Sequence, residues 1–174
     1  LTASASATLS FVDGTDGVDF SIYKEYVFTF KDIHPATDNV HFTFQGNAAG
    51  GSGYNETITS TAFYYQHKED GTDTELAYES GSDQAQGTAF QRLGQSVGND
   101  NDQCIVGSLR LFNPSSTTFV KHFIGVTNIY HTSDYSVGLR TAGYFNTTSA
   151  IDEIQFKMSS GNIDAGDICL YGIA

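Results

Sequence analysis

Alternation of apolar and polar side chains near the end of the chain is the feature that most constrains the fold. Within residues 150–158, Ile154, Phe156 and Met158 alternate with charged or amide side chains. Period two is typical of a β-strand with one buried and one solvated face. Residues 159–162, Ser-Ser-Gly-Asn, supply turn chemistry after it. These residues therefore predict a strand followed by a turn.

The last run of the chain, residues 167–173, is apolar on both faces. A strand that is apolar on both faces is typical of a buried position. We expect this strand to lie inside a sandwich and not at its rim.

Similar runs recur along the chain between turns rich in Gly, Asn and Asp, and no long helical period is present. The predicted strand regions are residues 26–31, 40–44, 58–65, 88–97, 104–112, 117–126, 135–145, 150–158 and 167–173. They predict an all-β fold, an antiparallel β-sandwich of about nine strands that is jelly-roll-like. Residues 1–10 are predicted to form an extended N-terminal arm, and residues 11–174 a single β-sandwich domain.

Two pairings follow from the turns between these regions. Residues 98–102 favour a hairpin between residues 88–97 and 104–112, although a short helix over 88–97 is the alternative. The strand that begins at Val40 is expected to be the partner of residues 26–31.

The alternation of side chains along a strand also predicts two side-chain orientations. We expect Val18, Phe20 and Ile22 to point the same way, and Phe119 to share a face with Phe123.

Net charge excludes some classes of partner. The chain carries 20 acidic residues against 8 Lys plus Arg, a net charge of −12. Nucleic-acid phosphates and anionic membranes both require clustered basic residues, so neither is an expected partner. No apolar run approaches the roughly 18 residues of a membrane-spanning helix. Cys104 and Cys169 lie among apolar residues and are expected to pack as small hydrophobes, or to pair if their strands are adjacent.

No motif in the chain predicts a catalytic site or a cofactor. The acidic turns lack the pattern of a twelve-residue calcium loop, and Asp100 and Asp102 are the only metal-ligand candidates retained. The histidines lack ligand spacing, and no nucleophile elbow is present. We expect that the protein is not an enzyme, although a pair of catalytic carboxylates brought together by the fold is the alternative.

Aromatic residues offer a second kind of site. Tyr54, Tyr64, Tyr65 and Tyr78 are candidates for a sugar-stacking platform, and strand packing is the alternative. The Gly-rich residues 46–53 lack the Lys-Ser/Thr ending of a phosphate-binding loop.

Three segments carry a family resemblance: residues 30–38, residues 111–124, and residues 151–173, which end in Leu-Tyr-Gly-Ile. Together they resemble virion structural proteins of tailed bacteriophages, especially those of aquatic phages. The resemblance implies a virion component in which the final strand closes a jelly-roll-like sandwich.

The compact chain has no repetitive shaft, which favours a head decoration or cement protein over a fibre. A decoration protein of this kind is expected to bind the major capsid protein, to associate with itself as a homotrimer and to lie on the capsid surface. A tail or fibre-associated receptor- or glycan-binding domain is the alternative. The lattice contacts are then expected to include the arm residues Leu1, Thr2, Ala3, Ser4, Ala5 and Ser6.

Overall fold

The computed structural model describes all 174 residues. They form twelve antiparallel β-strands, joined by turns and loops, and no helix. No helix long and apolar enough to span a bilayer is therefore present. The strands are β1 (Leu9–Val12), β2 (Glu25–Pro35), β3 (Val40–Ala48), β4 (Ile58–Lys68), β5 (Thr74–Tyr78), β6 (Gln84–Gly87), β7 (Gln91–Val97), β8 (Ile105–Phe112), β9 (Lys121–His131), β10 (Tyr135–Phe145), β11 (Ile151–Met158) and β12 (Ile163–Ile173). The antiparallel β-sandwich predicted from the sequence is confirmed, with twelve strands in place of about nine.

The strands form two layers. The larger layer has the order β12-β2-β8-β9-β10-β4, with β5 and β6 both paired to the free edge of β4. The smaller layer has the order β1-β11-β3-β7. A single register pair, Val97 of β7 and His131 of β9, connects the two layers as neighbouring strands.

Aromatic rings from the two layers interdigitate in the core. Phe156 of β11 lies 5.2 Å from the ring of Phe28 and 5.4 Å from that of Phe30, both on β2 in the opposite layer. Phe44 of β3 packs edge-to-face on Phe123 of β9 at 5.0 Å. Phe28 and Phe30 on β2 and Phe156 on β11 alternate with half-buried side chains, which is the period-two pattern seen in the sequence.

Both pairings expected from short turns are wrong. β2 pairs with β12 and β8, whereas β3 pairs with β11 and β7 in the other layer. β7 likewise belongs to the smaller layer and β8 to the larger one. In both cases the turn carries the chain across the sandwich, so the two strands face each other through the core instead of sharing backbone hydrogen bonds.

The expectation that β12 is an inner strand is also wrong. β12 is an edge strand that pairs on one side with β2. On its other side, residues 1–6 run antiparallel to its first half, with backbone hydrogen bonds from Ala3 to Gly166 and from Ala5 to Asp164. The second face of β12 is apolar because Tyr171 and Ile173 lie on the outside of the larger layer, where they stay exposed.

Two side-chain orientations differ from the expected ones. Phe20 is buried but Ile22 is 63% exposed, because residues 18–22 form an irregular loop and not a strand. Phe119 is 68% exposed and Phe123 is buried, since β9 begins only at Lys121 and Phe119 belongs to the preceding loop. β1, β5 and β6 are only four or five residues long, which explains why the sequence did not predict these three strands.

Candidate binding surfaces

Exposed apolar side chains concentrate on the outer surface of the larger layer, here called the apolar face. Eight of the eleven large hydrophobic residues that are exposed lie there, and the other three lie in the arm or in loops. Six of them occupy the phase opposite to the buried core residues of their strands, and register places the other two, on β5, opposite two of these six. The eight residues are Phe63, Tyr65, Leu76, Tyr78, Val106, Ile124, Tyr171 and Ile173.

Direct cross-strand neighbours make parts of this face continuous. Tyr78 stands opposite Phe63, and Leu76 stands opposite Tyr65. Tyr65 lies over Gly138 of β10, where any larger residue would collide with the tyrosine ring. The absence of a side chain at residue 138 therefore lets this aromatic ring lie flat on the sheet.

Carboxylates are missing from the centre of the apolar face. The four neighbouring strands β8, β9, β10 and β4 contain none of the 20 acidic residues of the chain. At the side of the face, Glu25 of β2 is neutralised by Arg110 through an ion pair of 2.6 Å. Arg140, in the centre, has no carboxylate within 4.0 Å. The face is thus neutral to slightly positive in a chain of net charge −12.

The opposite surface of the sandwich holds a polar cavity of about 370 Å³, here called the cationic pocket. Its floor is a row of three residues on adjacent strands, because Thr43 of β3 is the register partner of both Lys157 of β11 and Arg92 of β7. All three point away from the core, since they alternate with buried residues. The segment from Gly81 to Phe90 forms the wall above them.

The basic groups of the cationic pocket form no ion pair. Neither Arg92 nor Lys157 has a carboxylate oxygen within 4.0 Å. The Lys157 ammonium lies 4.1 Å from the centre of the Phe90 ring, a cation–π contact. Asp83 is the one carboxylate in the lining, and it accepts a hydrogen bond of 2.6 Å from the hydroxyl of Tyr78.

His41 completes the floor of the pocket as a neutral donor. Its Nδ1 accepts a hydrogen bond from the backbone N–H of Ser96 at 3.2 Å, so the neutral ring carries its proton on Nε2. Burial lowers the pKa of His41, the positive charge of Arg92 lowers it further, and the negative charge of Glu79 offsets part of this shift. The imidazole is therefore uncharged at neutral pH.

The predicted partner-binding residues of the arm lie along the edge of β12. Leu1, Thr2, Ser4 and Ala5 are exposed, and Ala3 is buried against the sandwich. Thr2 forms a non-hydrogen-bonded pair with Asp167, so its backbone N–H points away from β12. The outer side of the arm is thus a short, unpaired strand edge.

The candidate metal ligands lie in an exposed turn. Asp100 and Asp102 belong to residues 98–102, where the backbone N–H of Asp100 donates to the side-chain amide oxygen of Gln103. No group of three or more His, Cys, Asp or Glu side chains is placed to hold a metal ion. Cys104 and Cys169 are both free thiols.

The four candidate tyrosines are not gathered in one place. Tyr65 and Tyr78 lie together on the apolar face, whereas Tyr64 of the same strand points to the core side and donates to Glu75. That hydrogen bond raises the pKa of Tyr64 to about 12. Tyr54 lies on the other surface and donates to Glu153 at 2.6 Å. Only two of the four therefore share a surface.

Partly buried carboxylates occur near Tyr54, but none lines a main surface cavity. Glu153 accepts hydrogen bonds from Tyr54 and from Asn47, and burial raises the pKa of the neighbouring Asp152. These groups support the loop of residues 49–57 and do not converge on a cleft.

The cationic pocket was missed at the sequence level. Its basic residues are far apart in the chain, and only the register of three strands brings them together. The alternation of Lys157 with Phe156 and Met158 indicated that Lys157 points away from the core. Nothing in the sequence indicated which residues of other strands lie beside it. Comparison with known proteins adds no relative, since no family model, curated protein or solved structure matches this chain.

Proposed function

We propose that the protein is a structural component of a bacteriophage virion, a capsid decoration or cement protein that binds the major capsid protein lattice and stabilises the head. The observation that carries this proposal is the apolar face, which suits association with other protein surfaces. The resemblance of residues 30–38, 111–124 and 151–173 to phage virion proteins supplies the biological setting.

The size of the apolar face supports a protein–protein contact. Its eight large side chains are 39–72% exposed. A fully exposed aromatic side chain presents roughly 150–250 Å² to solvent, so the eight partly exposed side chains together present on the order of 600–900 Å². A standard interface buries about 800 Å² on each partner, which is close to this summed area. The face is therefore large enough for a stable contact.

Its charge favours a second copy of the same chain as the occupant. Two chains of net charge −12 repel each other unless the contact excludes their carboxylates. The centre of the apolar face meets that requirement because β8, β9, β10 and β4 carry none. We expect a homotrimer in which each copy contributes this face.

Contacts with the major capsid protein are assigned to the arm. The outer edge of residues 1–6 can accept an additional strand from a partner, with Thr2 offering an outward N–H. A protein that binds only the assembled shell shifts the equilibrium towards assembly, so each added contact stabilises the head. In this role the chain carries out no reaction and acts by binding alone.

Cryo-EM of the virion that contains this chain tests the proposal. The expected result is density for the sandwich on the outside of the head at local symmetry positions, with residues 1–6 against the major capsid protein. Density on the tail or fibre alone would refute the decoration role. As a second test, purified protein carrying Thr2→Pro should bind undecorated capsids more weakly than the wild type, because the outward N–H is lost while the backbone hydrogen bonds of Leu1 and Ala3 with β12 are kept.

A tail or fibre-associated receptor- or glycan-binding domain is the second candidate. The cationic pocket favours it, because a concave site with a few convergent polar groups is typical of ligand binding. The same cryo-EM experiment separates the two candidates by location.

A further inference from the structure

We propose that the cationic pocket binds an acidic saccharide, a sugar that carries a carboxylate. The proposal rests on the pocket floor of Lys157, Thr43 and Arg92 and on the wall from Gly81 to Phe90. It holds for a chain on the head or on the tail, so it does not depend on the proposed function.

The unpaired cations indicate an anionic ligand. The chain has only 8 Lys plus Arg, and two of them flank the same residue, Thr43, on neighbouring strands. Neighbouring strands are about 4.8 Å apart, so the backbones of Arg92 and Lys157 are roughly 10 Å apart. A carboxylate between them can accept hydrogen bonds from both side chains, and the planar guanidinium can bind it through two.

The rest of the lining indicates a sugar. Ser82, Gln84 and Ser159 add hydroxyl and amide groups, which match the alternating donors and acceptors of a saccharide. The Phe90 ring supplies an apolar surface of the kind on which the C–H face of a sugar packs. The volume of about 370 Å³ is within the range of small-molecule sites.

Asp83 distinguishes a carboxylated sugar from a phosphate. Its carboxylate lines the same cavity and would repel a doubly charged anion. A sugar presents hydroxyl groups to such a carboxylate, and these can donate hydrogen bonds to it. The neutral His41 adds a donor on Nε2 and no further positive charge. Two basic side chains and one carboxylate in the lining, with Glu79 just outside it, thus fit a ligand with a single negative charge and hydroxyl groups.

The test is a titration of the full chain with sodium glucuronate, followed by backbone amide NMR shifts. Glucose serves as the uncharged analogue, and inorganic phosphate serves as the sugar-free anion. Saturable shifts are expected at residues 41, 43, 92 and 157 with glucuronate only. Equal binding of phosphate would overturn the sugar assignment, equal binding of glucose would overturn the role of the charge, and no binding of glucuronate would overturn the site.

Paired variants locate the binding energy. Arg92→Gln combined with Lys157→Gln should weaken glucuronate binding by about tenfold or more, since both charge-assisted hydrogen bonds are lost. Lys24→Gln combined with Lys31→Gln removes the same charge from exposed residues outside the pocket and should change binding by less than about twofold. An equal loss in both double variants would show that net charge, and not the pocket, attracts the sugar. Unchanged amide shifts elsewhere in the spectrum report that each variant is folded.

Discussion

Replacement of Lys121 by Met is predicted to stabilise the protein at neutral pH. Lys121 begins β9 and is 0% exposed, in the phase of the core residues. Its Nζ donates one hydrogen bond, of 3.2 Å, to the backbone carbonyl of Thr147. No carboxylate oxygen lies within 4.0 Å of it. The chain therefore buries an ammonium group without a close counter-ion.

The magnitude follows from two opposing contributions. Removing an ammonium from water costs several kcal/mol, even after the protein relaxes around it. The charge-assisted hydrogen bond to Thr147 returns about 1.5–3 kcal/mol. Met fills nearly the same volume without the charge, and the half-buried Thr147 can bond to water instead. We expect Lys121→Met to raise the free energy of unfolding by about 1–2 kcal/mol. For a chain of this size that corresponds to a Tm higher by about 2–8 °C.

The effect of the substitution depends on pH in a defined direction. Burial lowers the pKa of Lys121 below its usual 10.5, and the more distant Glu56 offsets only part of this. Below the lowered pKa both the folded and the unfolded wild type are protonated, so the full penalty of burial is present. Between that pKa and 10.5 the unfolded chain binds more protons than the folded one, and wild-type stability rises with pH. The advantage of the variant should therefore be constant at low pH and shrink as pH approaches 10.5.

Urea denaturation of both proteins, followed by circular dichroism from pH 6 to about pH 10.5, measures this difference. Lys31→Met serves as the control, because Lys31 is exposed on β2 and its loss should change stability by less than about 0.5 kcal/mol. A Lys121→Met protein that is less stable than the wild type at pH 7, or whose advantage persists unchanged to pH 10.5, would refute the reasoning.

Three further substitutions test the core, the backbone and the apolar face. Phe156→Ala should lower the free energy of unfolding by about 3–5 kcal/mol, whereas Phe119→Ala, at a residue 68% exposed, should cost less than about 0.5 kcal/mol in the same urea titration. Gly107→Ala should cost more than about 2 kcal/mol, because Gly107 has φ of +152° and a Cβ atom would collide with the carbonyl oxygen of Val126. Gly71→Ala, where φ is also positive but no atom is within 4 Å, should cost only about 1 kcal/mol, and equal losses would contradict the role of the collision. Phe63→Glu should weaken self-association by at least about tenfold in sedimentation experiments, while Phe119→Glu should not, because only Phe63 lies on the apolar face.

The alternation of side chains predicted which residues face the core, but not which strands are neighbours. Phe28 and Phe30 on β2, and Phe156 on β11, occupy the buried phase that the sequence indicated. Phe42, however, meets Phe30 across the core at 5.1 Å, ring to ring, and not as a neighbour in one sheet. The alternation shows which face of a strand each side chain occupies, whereas strand pairing depends on contacts between residues far apart in the chain. A short turn can join two strands of one layer or two strands that face each other across the core.

The position of β12 shows a second limit of the same pattern. A strand that is apolar on both faces is typical of the interior, but the outer face of β12 carries Tyr171 and Ile173 in contact with solvent. A residue kept apolar for association with another molecule has the same sequence signature as one buried within the chain. The sequence therefore could not separate an interior strand from an edge strand with an exposed apolar surface.

The centre of the apolar face and the floor of the cationic pocket lie on opposite sides of the sandwich, and the two surfaces meet only at the β5 edge, where Tyr78 donates to Asp83. Packed layers are about 10 Å apart, and side chains alternate strictly between the core and the outside of each layer. The apolar face uses the outward phase of the larger layer, and the cationic pocket uses the outward phase of β3, β7 and β11. Association through the apolar face therefore leaves Arg92 and Lys157 uncovered. In an assembly held together by that face, the pocket is directed away from the contact and stays open to a ligand from solution.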